Sequence, residues 1–501
     1  MKLSIASSPR FPAELLTHIF EDVVASDMES FCLTKSAAIW PLTQTCQSWR
    51  KVAVTAPTLW NLIRTSTVFF GNAPRPRHLP QLFKLFLERS QPLPISFIIE
   101  FGSDQDDSES FTFNQELFNL LACHSSRWRH VQMLDFDGRV IQQLCQVKDL
   151  PILHSLHLCG QVNRKHHPSP ADPLEVRGLA TAPALVEAVL SLSFDGYDFE
   201  DVPSPKLGLH WAQLRELTFS VQLPQDFLEI AASLTSVECL HVAIGTSENA
   251  NIADNILLPR VHSLELSGDD RGIVEVASRL VLPKLQNLRL ATSLDSFETV
   301  RASSRFLSSI VGLQKRCVDM GGSSIRSLQV TAHALSSATA RQLKESLHDV
   351  EELYLLQFDN EGEHANDAQV IKHLKENVFP RLRKLGMVIP YSKPRNFTFL
   401  SVLADVIKAR QSALNREGLA QLEQVSLSMP RGGRPKHITV KGENTELFEQ
   451  LEMFGKQGLD LCGGHLEGGK WVSTPHDTDW NRIKEKRRIA RMHSMVNWGI
   501  S

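Results

Sequence analysis

The sequence lacks the features that mark a membrane protein, a disulfide scaffold or a zinc protein. No apolar run approaches the roughly 18 residues that a membrane-spanning helix needs, and residues 1–9 are too few and too polar for the core of a signal peptide. The eight cysteines are scattered along 501 residues and form no C-x-x-C pair. Several lie within apolar segments, where reduced cysteine behaves as a small hydrophobic residue. We therefore expect a cytoplasmic or nuclear protein that binds no metal and has no membrane partner.

Motifs that carry catalytic chemistry are also missing. The chain contains no P-loop, no G-x-S-x-G, no H-E-x-x-H and no dinucleotide-binding fingerprint. Cys123 and His124 are neighbours, but adjacency in sequence does not place a nucleophile beside its base in the fold. The sequence therefore predicts no catalytic residues and no cofactor, which indicates a protein that is not an enzyme.

Neither sign of charge dominates the chain. The formal net charge is −3, and 42% of the residues are hydrophobic, which is typical of a globular protein. This balance gives no reason to expect nucleic acid as a partner. A short basic stretch near the C-terminus favours a solvated helix, with a nucleic-acid patch or nuclear import signal as the alternative; its cations are Lys484, Lys486, Arg487, Arg488 and Arg491.

Apolar and aromatic residues recur at helical spacing between residues 11 and 63. Phe11, Leu15, Ile19 and Val23 lie four apart, so they share one helix face. A module of about 50 residues cannot bury three tryptophans and this many aliphatic side chains within itself. The surplus apolar surface indicates a partner.

Two further helices are predicted in the same segment. Leu42, Cys46 and Trp49 form a second apolar stripe, and a third helix is predicted over residues 52–55, where Pro57 stops it. The segment is therefore expected to be a three-helix module.

A second pattern, apolar-x-x-apolar-x-apolar, recurs after residue 120. Most copies follow the previous one by 23 to 29 residues, which is the spacing of leucine-rich repeats. The last two apolar positions share one strand face, so stacked copies would build a continuous core. The copies begin at residues 128, 153, 185, 214, 237, 261, 285, 325, 350, 382 and 422.

The segments between copies have helical character, as in residues 274–280 and 400–409. The predicted fold class is an α/β repeat, in which the three-helix module precedes a leucine-rich-repeat solenoid with concave strands and convex helices. The predicted domains are residues 1–65, residues 66–430 with an N-terminal cap, and residues 431–501 as a C-terminal cap and basic tail. An assorted α/β domain with leucine-rich strands is the alternative.

The N-terminal module resembles the F-box, the adaptor-binding module of SCF-type ubiquitin ligases. Phe11 departs from the family, which usually has leucine there, and the stretch from Ser26 to Trp40 is long. The order of F-box, bridging segment and irregular leucine-rich repeats is similar to the large F-box protein families of basidiomycete fungi. The resemblance rests on Phe11-Pro12 with Glu14, Leu15 and Leu16, on Ile19-Phe20, on Cys46, Trp49 and Arg50, and on Ala56-Pro57 with Leu59 and Trp60.

This resemblance implies the substrate-recognition subunit of an SCF-type cullin-RING ubiquitin ligase. The module would bind a Skp-type adaptor, and through it the ligase, while the repeats bind an unknown target protein. Trp60 is expected to be the most internal of the adaptor-binding residues. These are Phe11, Pro12, Leu15, Leu16, Ile19, Phe20, Trp49 and Trp60. The alternative is a repeat scaffold outside any ligase, with the helices as its N-terminal cap.

The target is expected to contact the residues that lie between the strand leucines. They mix both signs with small polar groups, unlike a phosphate-binding arginine cluster or a stripe for DNA. A mixed polar protein surface or short peptide is therefore predicted, and a small ligand remains the alternative. The residues are His157, Thr218, His241, Glu265, Arg289, Gln329 and Tyr354.

Overall fold

The fold is known from a computed structural model and divides into two compact units. The first comprises residues 1–220 with 489–501, and the second residues 221–488. The structure describes residues 11–26, 37–66, 78–90, 92–101, 108–163, 177–195, 207–221, 223–245, 255–292, 299–331, 343–356, 374, 378–388, 398–411, 419–428, 438–439, 453–454, 460–462, 465–467 and 470–472. The basic stretch near the C-terminus lies outside these residues.

The first unit begins with three helices, as predicted: α1 (Ala13–Ser26), α2 (Ile39–Gln44) and α3 (Gln47–Thr55). The predicted boundary between the second and third helices is wrong. Cys46 is the N-cap of α3, because its Sγ accepts the backbone N–H of Trp49 at 3.5 Å. The stripe from Leu42 through Cys46 to Trp49 therefore spans two helices.

Six parallel strands follow in sequence order within this unit. They are β1 (Leu62–Ser66), β2 (Ile95–Glu100), β3 (Trp128–Asp137), β4 (Ser155–Asn163), β5 (Glu187–Asp195) and β6 (Glu216–Val221). The helices between them are α4 (Leu79–Arg89), α5 (Ser108–Ala122) and α6 (Gly138–Leu144).

The second unit contains eight strands in one parallel sheet. In pairing order these are β7 (Cys239–Ile244), β9 (Ser263–Gly268), β11 (Asn287–Thr292), β12 (Ser327–Thr331), β13 (Glu352–Leu356), β14 (Lys384–Val388), β15 (Gln424–Ser428) and β17 (Asp460–Cys462). Its helices are α7 (Pro224–Ala231), α8 (Asp270–Arg279), α9 (Thr299–Asp319) and α10 (Thr398–Gln411).

The described residues of the second unit also form two small sheets. The strands β8 (Ile256–Leu257) and β10 (Leu280–Val281) pair in parallel. The strands β16 (Ile438–Thr439), β18 (His465–Glu467) and β19 (Lys470–Val472) pair antiparallel.

Every predicted repeat contains a strand, and neighbouring strands align their apolar positions. In the second unit the fourth position of each motif forms one ladder and the sixth position another. None of these side chains is more than 2% exposed. Together with the confirmed helices at residues 270–279 and 398–411, these strands make an α/β fold with large parallel sheets, which is compatible with the predicted repeat. The first ladder is Leu240, Leu264, Leu288, Leu328, Leu353, Leu385 and Val425; the second is Val242, Leu266, Leu290, Val330, Leu355 and Met387.

The predicted domain boundaries do not coincide with the ends of the parallel strands. The strand β1 crosses the boundary at residue 65 and pairs with β2. The strand β17 lies beyond residue 430 and pairs with β15. Neither segment carries the full repeat motif, so only its pairing identifies it as part of the array.

Two tryptophans close the carboxyl ends of helices in the same way. Trp60 donates its indole N–H to the carbonyl of Ala53 in α3 at 2.8 Å, and Trp128 donates to Leu121 in α5 at 3.1 Å. In both cases the acceptor lies seven residues earlier and a strand begins within two residues of the tryptophan. The helix α3, the last of the N-terminal module, and the helix α5 therefore both end at a tryptophan that caps the helix and leads into a parallel strand.

Arginines also satisfy carbonyl groups at helix ends. Arg127 donates to the carbonyls of Leu87 at 3.3 Å and Leu93 at 2.9 Å, at the end of α4. Arg316 donates to two carbonyls at the end of α8. Carbonyl groups at a helix C-terminus lack partners within the helix and carry partial negative charge, so a cation stabilises them. Burial lowers the pKa of Arg410 to about 10, but two carbonyls still accept hydrogen bonds from its guanidinium.

Trp60→Ala should lower the free energy of unfolding of the first unit by about 3–5 kcal/mol, because it leaves a cavity and an unpaired carbonyl. Hydrogen exchange of α3 and β1 in the full chain measures this loss. Trp211→Ala is the matched control, because Trp211 is only half-buried in the same unit. Equal losses for the two variants would contradict a special role for Trp60.

Candidate protein-interaction surfaces

The helix α1 carries an exposed apolar stripe. Phe11, just before the helix, is 58% exposed, Leu15 is 45% exposed, and Ile19 and Val23 are each 41% exposed. Isolated exposed apolar residues are common, whereas a row of four at helical spacing is a candidate interaction surface. This set of four residues is called the α1 stripe below.

The face of α1 next to the stripe, about 100° around the helix axis, holds the helix in place. Leu16 and Phe20 are buried, and the Phe20 ring lies 5.0 Å from the Trp49 ring. The hydroxyl of Thr58 donates to the Glu21 carboxylate at 2.6 Å and ties the helix to the turn that precedes β1. The α1 stripe is thus presented on a helix whose orientation is fixed by packing and a hydrogen bond.

The structure divides the predicted adaptor-binding residues into two groups. Phe11, Pro12, Leu15 and Ile19 are exposed, and Trp49 is half-buried. The other three are buried and offer little surface to a partner in this conformation, and their contact with an adaptor stays a prediction. These are Leu16, Phe20 and Trp60, which are 4%, 0% and 0% exposed.

Trp60 is internal, as expected, and it connects the module to the next helix. Its ring meets the ring of Phe86 in α4 edge-on at 4.9 Å and that of Trp40 at 6.2 Å. The Arg89 guanidinium lies 4.4 Å from the ring centroid, in cation–π geometry. Burial and the nearby Arg50 lower the pKa of Arg89.

Polar side chains form a row across the strands of the first unit. Gln132, His157, Val189 and Thr218 occupy paired positions of β3, β4, β5 and β6. His157 Nε2 lies 3.1 Å from Glu187 Oε1. The structure therefore brings the predicted His157 and Thr218 into one row, which Val189 interrupts with an apolar side chain.

A histidine that sequence analysis missed lies beside this row. His130 Nδ1 is 3.1 Å from the Ser155 hydroxyl, and its ring is 5.6 Å from the His154 ring. Burial, together with the positive charge of Arg129, lowers the pKa of His130 to about 3. Burial and the same arginine also lower the pKa of His154. Both imidazoles are therefore neutral near pH 7.

The row in the second unit contains an ion-paired set. Glu265 Oε1 lies 3.4 Å from both His241 Nε2 and Arg289 Nη1, and these residues come from three adjacent strands. Opposite charges on neighbouring strands stabilise the sheet surface. This part of the row is therefore organised before any target binds.

The same row continues to Gln329, which was predicted to lie on the target-binding surface but is buried. Gln329 is only 5% exposed, so it offers little surface to a target in this conformation, and its target contact stays a prediction. It pairs with Arg289 on one side and Tyr354 on the other, and both side chains are long enough to cover it. Gly386 follows Tyr354 in the row, where a Cβ atom would approach the tyrosine Cδ1 to 2.2 Å, so the ring lies across the glycine.

The structure adds a surface cavity that sequence analysis missed. It has a volume of about 780 Å³ and lies where the strands β7, β9 and β11 begin. Charged and polar side chains line it, including Glu238, Arg260, His262, Lys284 and Gln286. The only sequence signal is that these residues occupy equivalent positions just before successive repeat strands.

Searches for other kinds of site gave negative results. Within the described ranges, no group of three or more His, Cys, Asp or Glu side chains is arranged to hold a metal ion. Among the helices in that part of the chain, none has the length and apolar composition needed to cross a membrane.

The sequence matches no family model and none of the curated proteins compared with it.

Acidification should destabilise the first unit through His130. The pKa is about 3 in the folded protein and 6.5 as the reference value, so the unfolded state binds more protons between these values. The stabilising contribution is complete above pH 6.5 and falls as the pH drops toward 3; about 2 kcal/mol is lost by pH 5. Denaturant unfolding at pH 8 and pH 5 measures it.

His130→Gln should reduce the pH dependence of the unfolding free energy, since glutamine does not titrate. The part of the pH dependence that comes from His154 should remain. Gln132→Asn is the matched control, because it alters a buried amide on the same strand without removing a titrating group. An unchanged pH dependence in His130→Gln would contradict the assignment.

Proposed function

We propose that this protein is the substrate-recognition subunit of an SCF-type cullin-RING ubiquitin ligase. The observation that carries the proposal is the α1 stripe, a row of exposed apolar residues formed by Phe11 and three residues of a helix that Leu16 and Phe20 anchor in the interior. A Skp-type adaptor would bury the stripe and link the chain to the cullin and RING subunits. The protein would act in the cytoplasm or nucleus.

The geometry of α1 suits a helix-in-groove interaction. Side chains spaced four apart form one continuous apolar edge, and an apolar groove on a partner recognises such an edge through a few anchors. Aromatic and aliphatic anchors at the centre of an interface carry most of its energy, about 2 kcal/mol or more each. Leu15 and Ile19 occupy the centre of the stripe and are the expected anchors.

The repeats would hold the target. In this proposal the strands line the concave face of a solenoid and the helices its convex face, so the polar rows of both units are presented to a protein or peptide. The receptor needs no active site of its own, because it raises the effective concentration of target lysines near an enzyme carried by other subunits.

Leu15→Lys with Ile19→Lys should abolish capture of a purified Skp-type adaptor while leaving the melting temperature of the chain unchanged. Both side chains are exposed, so the substitution costs little folding energy but places two charges in a desolvated interface. Affinity capture and thermal denaturation of the full chain measure the two effects.

The matched control replaces two other exposed apolar residues with the same charges, Val318→Lys and Met320→Lys. This variant should bind the adaptor like the wild type. Failure of the wild-type chain to bind, or binding that survives the Leu15 and Ile19 changes, would refute the receptor proposal.

The alternative is a repeat scaffold whose N-terminal helices only cap the array. It is favoured by the packing of Trp60 on Phe86 and by the pairing of β1 with β2, which make α3 and β1 part of the array. For the same reason, deletion of residues 1–65 cannot separate the two functions, because it removes Trp60 and β1 along with the stripe.

Deletion of residues 1–26 separates them better, because it removes α1 and keeps Trp60 and β1. If the chain is a receptor, the truncated protein loses adaptor capture, while hydrogen exchange shows that β1 to β3 stay protected. If α1 is only a cap, protection of β1 to β3 is lost and the wild-type chain captures no adaptor.

A further inference from the structure

The cavity beside β7, β9 and β11 has an ordered arrangement of charges. Glu238, His262 and Gln286 each lie one residue before their strand, and the backbone places them side by side: the N–H of His262 donates to Glu238 at 3.0 Å, and that of Gln286 donates to His262 at 2.9 Å. Arg260 and Lys284 each lie three residues before β9 and β11. Adjacent strands are about 4.8 Å apart, so one side of the cavity is acidic and the other carries two cations.

The two cations are available to a ligand. Arg260 and Lys284 are exposed, and neither forms an ion pair with another residue in the part of the chain that the structure describes. The net charge of the whole protein is −3, so affinity for an anion must come from a local site rather than from the overall field.

The wall of the cavity is held rigidly. Gly321 has a φ of 70°, and a Cβ atom on Gly322 would lie 2.2 Å from the Pro283 carbonyl oxygen, so the chain there approaches its neighbour as closely as only glycine permits. The N–H of Ser323 donates to the same carbonyl at 2.7 Å. A rigid wall lowers the ordering cost of binding.

The lining indicates the kind of ligand. Pockets for small molecules are mostly apolar, whereas this cavity is lined largely by charged and polar side chains and opens at exposed residues. The lining contains one arginine together with the acidic Glu238, which suits a monoanionic carboxylate better than a phosphate dianion, because the latter usually binds several arginines.

The geometry points to a docking site for an acidic segment of a protein, whose carboxylates pair with Arg260 and Lys284 and whose backbone hydrogen-bonds to His262 and Gln286. This deepens the proposed function, since the segment would belong to the target. The cavity lies three residues along β7 from His241, so a bound chain about 10 Å long reaches the ion-paired row of the same unit.

The test uses a fluorescein-labelled peptide of eight alternating Asp and Gly residues and the full chain, at low ionic strength, by fluorescence anisotropy. Binding should weaken as salt is added. Arg260→Glu with Lys284→Glu should weaken binding by about tenfold or more, the effect expected from the loss of charge-assisted hydrogen bonds. Thermal denaturation checks that the variant is folded.

The matched control is Lys315→Glu with Lys344→Glu, which makes the same change of charge at exposed lysines of the same unit outside the cavity. It should bind the peptide like the wild type. No binding by the wild type, equal weakening in the control, or tighter binding of a phosphoserine peptide of equal charge would overturn the proposal. Adaptor capture is measured on the same variants and should be unchanged, so loss of the receptor role and loss of this site are distinguishable.

Discussion

In-register stacking of short parallel strands is the constraint on which the rest of this structure depends. Each repeat contributes two apolar side chains to the interior, and the ladders align Leu264 with Leu288 and Leu266 with Leu290 from one strand to the next. A shift of one residue would exchange the buried and exposed faces of a strand. The register therefore also fixes which polar residues meet on the surface, including His241, Glu265 and Arg289.

The ends of the helices are the second requirement, because each helix must end where the next strand begins. Trp60 and Trp128 close two of these ends with an indole N–H, and Arg127 and Arg316 close others with a guanidinium. All of these groups are at least partly buried and still find carbonyl partners, as buried donors must. The use of one device in both the module and the repeats indicates that α3 belongs structurally to the array.

This continuity changes how the N-terminal module is understood. Of the module's three helices, α1 has the row of exposed apolar residues, whereas Trp60, whose indole closes the end of α3, packs against Phe86 of α4. Among the described residues, a partner bound to the α1 stripe would thus be linked to the first strands through Phe20, Trp49, Trp60 and Phe86. A receptor that must hold a target at a defined distance from an enzyme benefits from such a connection, and a cap of the array would need the same packing.

The sequence by itself determined the repeat, the strand positions and the α1 stripe, because alternation and four-residue spacing decide which side chains share a face. Only the tertiary structure decided what depends on segments far apart in the chain. It placed Leu16, Phe20 and Trp60 in the interior, added β1 to the parallel sheet and buried Gln329, whose partners on the neighbouring strands are Arg289 and Tyr354. It also assembled the cavity from Glu238, Arg260 and Lys284. Local periodicity carries no information on contacts between residues that are distant in the sequence, because these contacts depend on how neighbouring strands and helices stack.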